Sequence, residues 1–591
     1  MKMLRFLESR HAFFESRYIF WIAALFAVVV SLPTLITGFI ADDYQQRVLF
    51  LQGNPHDNPY EFFHRGTPQT EANIQGGIVP WWVYPDSKVS FYRPIAHWLM
   101  MMDYRLWPDS RMLMHLHSVL WYGLLALAAG LAYRQLMPTR WVAGCAAVLF
   151  AVDASHSVAV AWLCNRATML GFLVSTLALL CYQREKLQWY VLGCALFAIS
   201  LACGEPALAM SGYFFAYELC LSDRPLARRI LRLVPYALVA VGWLAYWKIH
   251  GYGTAGPGIY TDPTVEPLQF LQEMMYRMPA YLVGQFLVLP SADFFSAMVI
   301  TQTLRTIGLV YSWIIVALLF WILTPLLRSS RLARFYGVGL LVSGVLICGQ
   351  TPVGRSLWFV GFGAIGLLAL YIEQFLGRFR ALPLSPRLLR VTTPFTTFVV
   401  VLHLWVSPLL FITYGQLVGY GDTIVDTHYL HLPDDGPPGK KVLILSTWNY
   451  YGSIEYPLLK DRGLAVGSKP SRPPPSITHI VALTEGSEEF VLTRKDADTL
   501  LVNATKYIEG GLRSGHYGFN MGDRVVLNEV EMEVLAVTPS RRARMVEYRF
   551  KPGVLATYEP IRWNRGKFEP TTLPAIGESV TIKTDYDILN M

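Results

Sequence analysis

Two adjacent carboxylates, Asp42 and Asp43, stand in Phe39-Ile40-Ala41-Asp42-Asp43-Tyr44, at the far end of the first long apolar run. Charge at a membrane surface is costly unless it has a function or a partner. A carboxylate there can act as general base on a hydroxyl. Two so close raise one pKa, which suits a base but can also leave one carboxyl protonated. The alternative is an acidic cap on an interfacial helix. More charged residues are expected on the same face. These are Arg93 in Phe91-Tyr92-Arg93-Pro94-Ile95, Arg166 and Arg355 at outer helix starts, and Glu205 in the turn Gly204-Glu205-Pro206. Arginine grips phosphate through a planar fork of donors that stays charged. Arginines and carboxylates at one face suggest a lipid-phosphate substrate with proton abstraction. Each arginine alone could equally pair with a loop carboxylate or a lipid headgroup.

Other residues offer less. His56, Asp57, Glu61 and His64 are the candidates for a divalent metal, but the spacing of the two histidines fits no helix face. No cofactor is otherwise implied. His115 and His117 are two apart, so on a helix they diverge and at most one faces a site. His156 suits packing or a substrate wall, and Asp153 is a candidate second carboxylate. The seven cysteines contain no CxxC pair, and none lies in the C-terminal third, which argues against a disulfide framework or zinc site.

The elements that must position these groups are mostly membrane helices. The 591 residues are 53% hydrophobic and 16% charged, against about 25% charged in soluble domains. A spanning helix needs about 20 apolar residues. Eleven candidates follow: 18–40, 112–134, 140–153, 167–183, 188–203, 205–221, 230–248, 306–327, 333–349, 356–374 and 392–414. With that count, the basic segments near residues 2–17, 134–140, 184–186, 224–232, 328–334 and 378–390 all fall inside. The net charge of +8 is then a topology signal, and no nucleic-acid partner is implied. Stretches 94–107 and 276–290 are expected to lie at the surface or re-enter. The N-terminus is expected inside, as an anchor without a cleavage site.

The expected fold is a polytopic α-helical membrane domain, 1–431, with a first outer loop at 41–111 and a second outer segment at 249–305. A Pro- and Gly-rich linker, 432–440, leads to an outer β-rich domain, 441–591. Short runs such as Val442-Leu443-Ile444-Leu445, Phe490-Val491-Leu492 and Met545-Val546-Glu547-Tyr548-Arg549-Phe550 read as strands.

Several motifs resemble a known family in the right order. Ala41-Asp42-Asp43-Tyr44 resembles the acidic motif of the GT-C glycosyltransferases, which include protein O-mannosyltransferases and the transmembrane and tetratricopeptide-repeat O-mannosyltransferases. Tyr92-Arg93-Pro94-Ile95, Asp103-Tyr104 and Met114-His115-Leu116-His117 resemble the run after that last group's first loop. Phe150 to His156, continuing to Val160-Ala161-Trp162-Leu163-Cys164-Asn165-Arg166, resembles its third-helix block. Leu201-Ala202-Cys203-Gly204-Glu205-Pro206-Ala207 resembles its lysine-glutamate turn, with glycine in place of the lysine. Asp153-Ala154 stands where the family tends to have His-Pro, Val158 and Thr168 replace acidic residues, and the repeat array is missing.

The resemblance, which covers roughly residues 18–375, implies a GT-C fold, in keeping with the eleven spans read from hydropathy. It implies inverting transfer of a sugar from a polyprenyl phosphate or pyrophosphate to a hydroxyl of a protein or glycan. By position, Asp42 is the base, with Asp43 its neighbour or alternate. Arg93, Arg166 and Arg355 would hold the leaving phosphate, and stabilising that charge is the larger catalytic term. Glu205 would orient an arginine or the acceptor, with His115, His156 and Asp153 nearby. The expected location is a bacterial inner membrane, with the β domain periplasmic and membrane lipids around the helices. Two other functions fit the same composition: a transporter or flippase of a lipid-linked sugar, and a non-catalytic scaffold with a glycan-binding β domain. Transporters place ionisable groups near the bilayer midplane and show internal repeats, and neither is visible here.

Overall fold

A computed structural model describes residues 11–54, 56–297, 302–381, 386–427, 440–450, 454, 477–510, 513–565 and 567–584. The chain forms two compact units. One is helical and comprises 1–39, 91–252 and 261–419; the other comprises 40–90, 253–260 and 420–591. Most of the first outer loop therefore belongs with the C-terminal β region rather than with the helices that flank it. The expected linker lies almost wholly outside the described residues.

In the helical unit, seven helices among the described residues are long and apolar enough to cross a membrane: Ile19–Ile36, Arg111–Leu136, Leu163–Tyr182, Leu226–Ile249, Thr303–Ser329, Trp358–Leu376 and Thr393–Leu417. The pair Arg140–Ala151 and Ala154–Ala161, bent by 42°, makes an eighth if it counts as one span. That is fewer than the eleven expected. Leu187–Cys203 and Arg331–Ile347 have 17 residues each, about 26 Å of helix, short of a hydrocarbon core of about 30 Å. The expected span 205–221 splits into a 3-10 turn, Glu205–Met210, and a ten-residue helix, Ser211–Cys220. The apolar stretch at 276–290 is mostly the buried end of a longer helix, Pro267–Leu287. Small residues let the helices approach closely. Ala126, Ala129 and Ala132 of one helix and Ala143, Ala146 and Ala147 of the next are all fully buried.

Among the described residues, the second unit contains three sheets. β1 (Glu61–His64), β2 (Lys88–Ser90) and β3 (Gly253–Ala255) pair antiparallel in that order. A four-stranded sheet has β4 (Lys440–Ile444) and β5 (Ile477–Ala482) parallel, with β11 (Tyr558–Asn564) parallel to β4 and β12 (Lys567–Pro570) antiparallel to β11. The six-stranded sheet contains β6 (Glu489–Arg494), β7 (Thr499–Ala504), β8 (Arg524–Val526), β9 (Val530–Val537), β10 (Ala543–Phe550) and β13 (Ser579–Lys583). It is antiparallel throughout, in the order β13-β6-β7-β10-β9-β8. Strict alternation of half-buried and buried residues along β7 shows why it pairs on both sides with one face inward.

The grouping of 40–90 with these sheets has a local cause. Trp81 donates its indole N–H to Ala482 O at 3.0 Å, and Ile480 N donates to Gly76 O at 3.1 Å. Gly77, at φ +74°, lies so close to β5 that a Cβ would fall 2.0 Å from Ile480 O. Only glycine fits that conformation and that approach.

Candidate functional site

The acidic pair opens a helix, Asp42–Gln52, in the second unit. Its N-cap, Ala41, has φ 48°, a strained conformation for a residue with a side chain. Such strain concentrates at functional positions. Asp43 is buried and its Oδ2 accepts from Ile40 N at 3.1 Å, so it closes the turn. Asp42 is half-buried. Both carboxylates sit in the first helical turn, where the backbone dipole favours negative charge. Asp43 thus shapes the turn, and half-buried Asp42 is the first residue of the helix beside it.

Arg93 caps the Pro94–Leu106 helix of the helical unit. Its Nε donates to Glu205 Oε2 at 2.8 Å, and Tyr92 N donates to Glu205 Oε1 at 3.1 Å. One carboxylate, reached across more than a hundred residues, thus fixes a guanidinium and the backbone beside it. The guanidinium lies over Phe91 at 4.4 Å. At 11% and 19% exposure, Arg93 and Glu205 keep contact with solvent. Tyr92 packs against Tyr246 and Tyr252, at 4.9 and 5.2 Å. Burial, then the hydrogen bond with Tyr246, pushes the Tyr92 phenol up to about 12.

Near the other end of that helix, Asp103 holds a second arginine. Arg166 donates Nη1–H to Asp103 Oδ2, Nε–H to Ser118 Oγ at 3.0 Å and Nη2–H to Met114 O at 2.8 Å. His117 Nδ1 lies 2.7 Å from Asp103 Oδ1, and Trp121 donates its indole N–H to His117 Nε2 at 2.8 Å. Indole is a donor only. His117 Nε2 must therefore carry the lone pair, and Nδ1–H donates to Asp103. Arg166 and Asp103 are 2% and 3% exposed. This corrects the expectation that Arg166 binds a leaving phosphate. Its three nitrogens are all engaged inside the fold, and its chemical role is to fix Asp103 and the two helices it joins.

His115 is likewise not at an open site. It is fully buried, with Nε2 3.3 Å from Gly38 O. The divergence expected two residues apart is realised, and His117 is the one that meets charged partners. Asp153 is buried, accepting from Ser155 N at 2.9 Å and from Gln285 Nε2 at 2.6 Å. His156 stacks on Trp358 with centroids 4.1 Å apart and contacts the Tyr122 hydroxyl at 3.2 Å. Both act as internal packing groups rather than open acceptor contacts.

Arg355 is half-buried in the turn Gly354–Ser356, over the face of Trp162 at 4.5 Å. Gly354 N donates to Asp293 Oδ2 at 3.1 Å. The Asp293 side chain is exposed, so this bond holds the Gly354 turn at the surface of the helical unit. Asp293 was missed in the sequence because it lies in a loop-like apolar stretch with no motif around it. Asp103 and His117 lie inside Asp103-Tyr104 and Met114-His115-Leu116-His117, motifs that by themselves assign neither a role. The signal was a lone carboxylate in a Met-rich helix.

For the metal candidates, His64 Nδ1 and Glu61 Oε2 are 4.0 Å apart. Among the described residues, no group of three or more His, Cys, Asp or Glu side chains is gathered to hold a metal ion.

The chain is 28% identical over 191 residues to Protein O-mannosyl-transferase Tmtc1 of Drosophila melanogaster, covering 31% of this chain and 20% of that protein. The match thus spans a fifth of the curated relative's length. Two solved chains are similar at low overlap. ArnT from Cupriavidus metallidurans bound to undecaprenyl phosphate has a TM-score of 0.37 and 14% identity, over 78% of this chain and 89% of its own. The apo state of ArnT from the same organism has a TM-score of 0.35 and 14% identity, over 74% and 83%. Overlap at that level does not establish a shared fold. No family model matches the chain.

Proposed function

We propose that this chain is an integral-membrane glycosyltransferase of GT-C type, moving a sugar from a polyprenyl phosphate to a hydroxyl of a protein or glycan. The observation that carries it is the Glu205 clamp. The Tyr92-Arg93 and Gly204-Glu205-Pro206 motifs, far apart in sequence, meet through 2.8 and 3.1 Å hydrogen bonds. A third and fourth motif, Asp103 and Arg166, close on each other through the same helix. The partial likeness to an O-mannosyl-transferase supports the same reading.

In this mechanism Asp42 removes the proton of the acceptor hydroxyl as that oxygen attacks the anomeric carbon. The bond to the phosphate oxygen breaks on the opposite face, so the anomeric centre inverts. Asp43 holds the turn that presents Asp42. Arg93, with Arg355 as second cation, neutralises the charge that develops on the departing phosphate. The N-terminus faces the inside of a bacterial inner membrane, and the β-rich unit stands outside it.

Transfer from polyprenyl-phosphate mannose and glucose to peptide and glycan acceptors tests this. Asp42→Asn is expected to lower the rate about 10²- to 10⁴-fold, with unchanged binding of the lipid donor. Full activity in both Asp42→Asn and Asp43→Asn would overturn the assignment of the base.

A further inference from the structure

A second cationic site lies in the helical unit, apart from the residues above. Arg277 and Arg305 share one carboxylate. Arg277 Nε is 3.3 Å from Glu273 Oε2, and Arg305 Nη2 is 2.7 Å from Glu273 Oε1. Arg277 is 3% exposed and also donates to Cys348 O at 2.8 Å and Thr261 Oγ1 at 3.1 Å. Two guanidinium groups on one carboxylate leave an excess positive charge. Arg305, at 30% exposure, is where that charge reaches the surface.

The position of Arg305 is informative. It stands in the first turn of Gln302–Ser329, a helix of membrane-spanning character. Ile307, Val310 and Ile314 below it are more than half exposed, as lipid-facing residues are. Eight residues on, about 12 Å along the helix, Trp313 donates its indole N–H to Met275 O at 3.0 Å. Trp313 there lines an entirely apolar groove with Met274, Met278, Leu341 and Val345. Methionine is unbranched and adapts to irregular apolar partners. An anion-binding edge beside an exposed apolar groove has the polarity of a lipid, with phosphate on the cation and chain in the groove. A free anion would use the arginine but not the groove.

We propose that Arg305, backed by Glu273 and Arg277, holds the phosphate of an anionic membrane phospholipid whose acyl chain lies in the groove formed by Met274, Met278, Trp313 and Val345. The lipid would fasten the Pro267–Leu287, Gln302–Ser329 and Arg331–Ile347 helices to one another.

The test uses the purified full chain, with phosphatidylglycerol, phosphatidylcholine, inorganic phosphate and undecaprenyl phosphate as probes, read by native mass spectrometry and thermal stability. Phosphatidylglycerol is expected to be retained and to raise the melting temperature more than phosphatidylcholine or inorganic phosphate. Arg305→Gln leaves Glu273 paired with Arg277 and is expected to weaken phosphatidylglycerol binding roughly fivefold, the weight of one arginine at an anionic surface. Val345→Trp fills the groove, leaves the cations intact and is expected to release the lipid as well. Equal retention of the two phospholipids, or unchanged binding in both variants, overturns the proposal. So does stabilisation by inorganic phosphate alone to the same degree, which marks a free-anion site. Preferential capture of undecaprenyl phosphate at equal concentration overturns it in favour of a donor-lipid groove.

Discussion

Asp103 of the helical unit and Glu485 of the β-rich unit are both buried carboxylates, held in opposite ways. Asp103 faces Arg166 and the Nδ1–H of His117. Glu485 meets backbone instead. Its Oε1 accepts from Tyr450 N at 3.0 Å, and Gly510 packs so close that a Cβ there would sit 1.9 Å from the carboxylate. Burial first, with Glu509 adding to it, pushes the Glu485 carboxyl up to about 7, despite the N–H donors and Arg542. Asp103 is thus held by an ion pair and an imidazole, whereas Glu485 is held by backbone donors and its charge depends on pH near neutrality.

The sharpest way to break that comparison is Arg166→Met. Removing one partner of a buried pair leaves the other uncompensated, and about 3–5 kcal/mol of stability should be lost. Adding Asp103→Leu should restore much of it, because an apolar pair of similar volume tolerates the site. Thermal denaturation of the two variants checks this, and a double variant no better than the single one means the pair is not the unit of stability.

Glu485 gives the next effect. Its folded pKa lies above the ordinary 4.5, so the folded state binds more protons than the unfolded state between about pH 4.5 and 7. Stability of the β-rich unit should therefore fall as pH rises through that window, and the penalty should be complete above it. At pH 8 Glu485→Gln should be more stable than the parent by on the order of 1–3 kcal/mol, and its pH profile should be flatter. Hydrogen exchange at Tyr450 in the full chain, followed from pH 5 to 8, is the measurement. Parallel profiles in the two proteins would remove the contrast with Asp103.

Glu205→Gln sharpens the comparison from the side of function. It keeps a hydrogen bond to Arg93 but loses its charge. The partly exposed pair should cost only about 1 kcal/mol of stability, while the KM for a lipid-phosphate donor should change several-fold as the guanidinium loses its anchor. A stability loss as large as that of Arg166→Met would place Arg93 with the structural arginines.

These contrasts also show what sequence alone could supply. The chemistry-bearing residue types were legible. An arginine expected on the outer side of a membrane helix needs an explanation, and in the structure Arg93 pairs with Glu205 and Arg166 with Asp103. Which arginine stays open was not legible, because that depends on Asp103, Ser118 and Met114 O closing around Arg166 from separate helices. Helices over 112–134, 230–248 and 306–327 followed from length and hydropathy. The count did not, since 188–203 and 333–349 are apolar yet too short, and 205–221 divides after Met210 into a 3-10 turn and a ten-residue helix. The β character of the C-terminal region was legible from β-branched runs at β4, β6 and β10. β11, Tyr-Glu-Pro-Ile-Arg-Trp-Asn, is too polar and carries a proline, so its parallel pairing with β4 had no local signal. The association of 40–90 with that region rests on single contacts such as Trp81 to Ala482, which no local pattern announces.

That contact bears on biosynthesis. Trp81 and its acceptor, Ala482, are 401 residues apart. At about 5–20 residues per second, a ribosome needs roughly 20–80 s to pass from one to the other. For that interval the 76–82 segment, with its paired tryptophans, has been made and lacks the strand that will cover it. The nascent chain must therefore carry an unfinished surface through the emergence of every helix between. Folding of this unit is delayed to the last stage of translation, and a chaperone that masks aromatic segments would act on this protein before β5 is made.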